Sequence, residues 1–115
     1  MKLTDKCKID FEKWLYNLKY SEPAKFNNYY NNFKDTPESM QYGVYVDFFD
    51  SVGIILDVQP VLNYNHDNYT DVNYWISSVF QLNVSDEDYN NGQFETRQKG
   101  RELTITEANK IYNEK

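Results

Sequence analysis

A chain of 115 residues with a formal charge of −6 has room for one hydrophobic core, so a single domain over residues 1–115 is expected. One cysteine excludes an internal disulfide, and with one histidine beside it there are too few soft ligands for structural zinc. No run approaches the roughly eighteen consecutive apolar residues of a membrane span, and residues 1–10 alternate lysine with polar residues where a secretory signal needs an apolar stretch, which predicts a cytoplasmic protein.

Thr4 is placed to cap a helix over about residues 5–19, in which Cys7, Phe11, Trp14, Leu15 and Leu18 share one stripe. Ser21 and Pro23 open a second helix, with Phe26, Tyr29, Tyr30 and Phe33 on its apolar side, ending near Asp35. Thr36-Pro37 begins a third. Its Met40, Val44, Phe48 and Val52 face the core, with Gly53 placed to end it in the left-handed region.

After Gly53 the period changes to two. Ile54, Leu56 and Val58 alternate with Ile55, Asp57 and Gln59 in a half-buried strand that Pro60 confines to an edge or bulge. A polar loop is expected over Asn63 to Asp71. From Val72 the residues Val72, Tyr74, Ile76, Ser78, Phe80, Leu82 and Val84 form an apolar face, opposed by a mixed face of Asn73, Trp75, Ser77, Val79, Gln81 and Asn83. Ser85 to Asp88 form a helical turn or tight loop, and Asn91-Gly92 fits a type I′ turn that returns a strand around Phe94.

Residues 96–113 admit two readings. One helix places Arg101, Ile105, Ala108 and Tyr112 on a stripe; alternatively Lys99-Gly100 is a turn and a shorter helix starts at the capping box Thr104 to Glu107. The single helix is preferred. The expected fold is therefore α+β, with three N-terminal helices, a three-stranded antiparallel sheet and a C-terminal helix packed on it.

Composition and charge carry the functional reading. Eleven Tyr, seven Phe and two Trp against two Ala predict an aromatic core. The excess of Asn and Lys over Arg follows from AT-rich codons, although Tyr and Asn also suit a recognition surface. Residues 35–96 hold eleven acids and no Lys or Arg, whereas both flanking segments are net basic. Neutralisation of that middle segment must come from the flanks, from salt or from another molecule.

Motifs for chemistry are missing. Glycine-rich phosphate loops and the nucleophile elbow do not occur. Counting an EF-hand from Asn65 places Tyr69, Thr70 and Ile76 where a ligand, a glycine and a glutamate are required. Cys7 with His66 could form a thiolate pair, but Cys7 lies on the core stripe and His66 in a polar loop. No catalytic residue, metal or cofactor is expected, and the bases are too few and too terminal for direct nucleic-acid binding.

The stretches Pro37 to Val44, Asp47 to Ile54 and Phe94 to Tyr112, with Thr96-Arg97-Gln98 and Ala108-Asn109-Lys110-Ile111-Tyr112-Asn113, resemble small uncharacterised proteins encoded by phages and mobile elements of Bacteroidota. Where those proteins commonly carry alanine, this chain has Gly100. The resemblance implies a phage source and brings no activity with it.

The expectation is a non-enzymatic, acidic phage protein that binds and occludes a basic host protein handling nucleic acid, as a defence or anti-CRISPR-type inhibitor. Asp47, Asp50, Tyr64, Asp67, Tyr69, Asp71, Asp86, Glu87 and Asp88 are the partner-binding candidates, with carboxylates imitating phosphates and tyrosines, Tyr74 among them, adding contact area. The alternatives are a small-ligand or nucleotide sponge, in which Trp75 and Arg97 hold a planar anion, and a minor virion component.

Overall fold

The computed structural model describes residues 2–29, 33–83 and 90–115. Helix α1 spans Asp5–Ser21 and α2 spans Pro23–Tyr29; a 3-10 turn at Phe33–Asp35 leads into α3, Glu38–Ser51. Strands β1 (Ile54–Asn65), β2 (Asn68–Gln81) and β3 (Asn90–Phe94) make an antiparallel sheet in the order β1-β2-β3, and α4 (Arg97–Asn113) follows it. The α+β class, the three-stranded sheet and the C-terminal helix are those the periodicity predicts.

The α1 stripe is buried at Cys7, Phe11, Leu15 and Leu18, with Trp14 half-buried beside it. Thr4 occupies the N-cap position but makes no side-chain capping bond. The far end of the chain supplies the cap instead: the Cys7 N–H donates to Asn113 Oδ1 at 2.8 Å and the Thr4 N–H to Asn109 Oδ1 at 2.9 Å. Amide groups of Asn109 and Asn113 donate in turn to Thr4 Oγ1 at 2.9 and 3.3 Å. Two asparagines one turn apart on α4 thus satisfy the N–H of the N-cap and that of Cys7, one of the orphan donors in the first turn of α1. Asn113→Ala should lower stability by about 1–2 kcal/mol in a denaturant melt, the cost of losing a helix cap; an unchanged midpoint would show the contact to be incidental.

Phe33 to Asp35, expected to close the second helix, form the 3-10 turn instead. Tyr30 lies outside the described residues. Around Phe33 the Thr36 hydroxyl and the Gln41 amide each donate to the Phe33 carbonyl at 2.8 Å, side-chain bonds that favour a tight turn over helix. In α3 the buried face comprises Val44, Tyr45, Phe48 and Phe49. Met40, expected inside, is exposed in the first turn of α3, one turn before the buried face begins at Val44. Gly53 adopts φ +79°, which lets the chain leave the helix and enter β1 at once.

Two expectations for the sheet are corrected. The polar loop over Asn63 to Asp71 is a continuous hairpin: β1 runs to Asn65 and β2 starts at Asn68, leaving only His66-Asp67 as the turn, with His66 at φ +56°. Asn91-Gly92 is not a turn but lies within β3, opposite Ser78 and Ser77. Helix α4 covers the mixed face of β2. It packs over the face bearing Leu56, Val58, Ser77 and Val79, where a Cβ at Gly100 would lie 3.1 Å from Val58 and 3.8 Å from Ser77. Small residues decide this, since Gly100 against Ser77 allows a close helix approach that Phe80 and Tyr74 on the other face would prevent.

The C-terminal segment is one helix, and Thr96 caps it by accepting from the Lys99 N–H at 3.2 Å. Ile105 and Ala108 are buried as expected, together with Gly100 and Thr104. The core is aromatic: Phe48 has ring centroids of Phe11, Trp14, Phe49 and Tyr112 within 5.2–5.7 Å.

Candidate functional site

Strand β3 pairs with β2 only from Trp75 to Val79, and α4 begins at Arg97 above Trp75, so the β1-β2 hairpin outruns both. Past Pro60 and Trp75 it continues as a two-stranded arm in which residues 62–73 are all exposed. Five residues from Val61 to Asn65 at about 3.3 Å each carry it roughly 16 Å outward. The molecule is elongated accordingly, 52 × 32 × 21 Å, with a radius of gyration of 15.9 Å against about 13 Å for a compact chain of this size.

Two irregularities shape the arm. Val61 faces Tyr74 but Leu62 faces Val72, which leaves Asn73 as an extra residue; Asn63 faces Asp71 but Tyr64 faces Tyr69, which leaves Thr70 as another. Each bulge flips the alternation of β2 by one residue. An undistorted ladder would put Asn73 and Asp71 opposite Leu62 and Tyr64. The bulges replace them with Val72 and Tyr69, so that Leu62, Tyr64, Tyr69 and Val72 continue the sheet face that α4 covers further back. The Tyr64 and Tyr69 rings meet edge to face at 5.4 Å.

Asp71 is turned to the other face. Its carboxylate accepts from Asn63 Nδ2 and Thr70 Oγ1, each at 2.9 Å, and these bonds hold its pKa below the ordinary carboxylate value. Asp67 lies in the exposed turn. The site residues expected from the sequence therefore fall into separate groups: Tyr64, Asp67, Tyr69 and Asp71 come together on the arm, whereas Asp47 and Asp50 lie on α3 at the opposite end of β1. Twelve residues of β1, at about 3.3 Å each, put some 40 Å of strand between them. Asp47 lies 4.0 Å from Lys25, and burial followed by the Asp47 charge raises the Asp50 carboxyl. Asp86, Glu87 and Asp88 lie outside the described residues.

Trp75 and Arg97 do meet, with the guanidinium 4.3 Å from the ring centroid. Arg97 itself occupies the indole face on which a stacked ligand was expected. Cys7 is fully buried in the core, and His66 is exposed in the hairpin turn. Among the described residues no three His, Cys, Asp or Glu side chains gather as a metal site. No described helix is long and apolar enough to cross a membrane.

Leu62 and Val72 were not anticipated as site residues. The unbroken alternation Leu56, Val58, Pro60, Leu62, Tyr64 signals that β1 extends to the turn, but the bulges that bring Val72 and Tyr69 opposite it leave no mark in the sequence. Comparison with protein-family models, curated proteins and solved structures gives no match.

Proposed function

We propose that this protein is a binding protein that engages and occludes a cationic surface of another protein. The observation that carries the reading is a lack of direct ion pairing: among the described residues, Asp50, Asp57, Asp67 and Asp71 form no ion pair, although both flanking segments are net basic. Helix α1, with four of the lysines of those segments, packs on the other helices, away from the arm. These carboxylates on α3, β1 and the hairpin create a negative potential that draws a basic partner and speeds encounter, while the exposed tyrosines provide contact area once it arrives. In the narrower form of this reading the partner is a nucleic-acid-handling host protein, met by a phage product whose carboxylates stand in for phosphates.

The test is reconstitution with a captured partner that has been identified and purified. Binding should weaken steeply between 0.15 and 1 M salt, because exposed charges are screened over about 8 Å at the lower concentration and about 3 Å at the higher. Neutralising Asp50, Asp57, Asp67 and Asp71 together to Asn should reduce affinity by roughly tenfold or more at 0.15 M salt. Salt-independent binding, or an unaffected quadruple variant, would refute the electrostatic basis.

A further inference from the structure

The arm presents more than charge. Leu62, Tyr64, Tyr69 and Val72 remain 41, 62, 71 and 40% exposed on one face of a ribbon that no described element covers. A chain that needed only a soluble hairpin would gain by leaving Asn73 and Asp71 on that face, as an undistorted ladder does. Two bulges instead turn Val72 onto that face and bring Val72 and Tyr69 opposite Leu62 and Tyr64. The β2 edge of the ribbon is blunted by the bulges at Thr70 and Asn73, and Pro60 interrupts the β1 edge where the arm begins, which disfavours addition of a partner's strand and favours the face as the place of contact.

We propose that this face binds an arginine-bearing segment of a partner protein, its guanidinium groups bedded on the Tyr64 and Tyr69 rings; this deepens the reading above and rests on it. Charge supports the occupant. Residues 59–75 include two acids, Asp67 in the turn and Asp71 on the opposite face, and no Lys or Arg, so the arm itself offers an arriving guanidinium net negative charge. A second copy of the arm would bring two further acids against them instead. The same sheet face already displays the contact one step back, where Arg97 lies 4.3 Å over Trp75. Planar, weakly hydrated guanidinium stacks on aromatic faces more readily than a lysine ammonium, which keeps its hydration. Leu62 and Val72 then pack against the aliphatic part of the arginine side chain.

Titration calorimetry of the full-length protein with an arginine-rich peptide and a lysine-rich peptide of equal length and charge is the decisive measurement. The arginine peptide should bind at least several-fold more tightly, and Tyr64→Ser with Tyr69→Ser should remove that preference while circular dichroism stays unchanged, since both side chains are exposed. A preference that survives the double serine variant overturns the arm as the site and leaves the cationic-partner reading intact. Equal binding of both peptides overturns the guanidinium role. Binding of neither peptide defeats the cationic reading itself, and concentration-dependent self-association abolished by the two serines assigns the face to a second copy and overturns the proposal.

Discussion

Phe48→Ala should destabilise the protein by about 3–5 kcal/mol, the range for removing a buried aromatic ring. Phe48 is 2% exposed and stands where three helices meet, with Phe11 and Trp14 of α1 on one side, Phe49 beside it on α3 and Tyr112 of α4 opposite. Rings held by three separate helices cannot all move into the vacated space, so the cavity term adds to the lost transfer free energy. A single domain commonly has only about 5–15 kcal/mol in total, so the variant's urea midpoint should fall steeply. A loss below about 1 kcal/mol would mean that the helices collapse inward and that the packing around Phe48 is not specific.

Alkaline solution should destabilise the protein, with the buried Cys7 thiol as the first group to act. Burial, then the Asp10 charge, pushes Cys7 from 9.0 up to about 12, so the folded state holds this proton while the unfolded chain releases it. The resulting stability is complete below pH 9 and is lost as pH rises from 9 towards 12. At about 1.4 kcal/mol per unit, the loss across that window is about 4 kcal/mol. Tyr112 acts in the same direction from pH 10 upward, its phenol raised to about 12 by burial and by the bond it donates to Asp10 at 2.6 Å. Cys7→Ala should therefore be less stable than the parent at pH 7, because it leaves a small cavity, yet its stability should fall less between pH 9 and 12. Chemical denaturation at several pH values checks this. Parallel pH profiles for the two proteins would show that the thiol does not govern the alkaline loss.

The reach of the arm bears on how a partner is met. A ribbon extending past the core lets the hairpin tip touch a target while the helices stay clear of it. The carboxylates of α3 lie at the far end of β1, so a partner gripped at the hairpin tip contacts them only if it is large or wraps along the strand. Neutralising Asp47 and Asp50 separately from Asp67 and Asp71 distinguishes these two modes of contact.

Helix positions were legible in the sequence because burying one stripe imposes a 3.6-residue period, and the stripe Cys7, Phe11, Leu15, Leu18 admits no other rotation. The stop at Gly53 and the edge placement of Pro60 were equally readable, since each follows from backbone chemistry local to one residue. The rest depended on partners distant along the chain. Asn109 and Asn113 cap α1 from more than a hundred residues away, and Gly100 against Ser77 decides which sheet face is covered. Two extra residues in β2, invisible to any count of alternating side chains, decide what the arm exposes. Local propensity fixes where a helix can form, whereas the choice of face, register and cap belongs to whichever distant surface packs most closely.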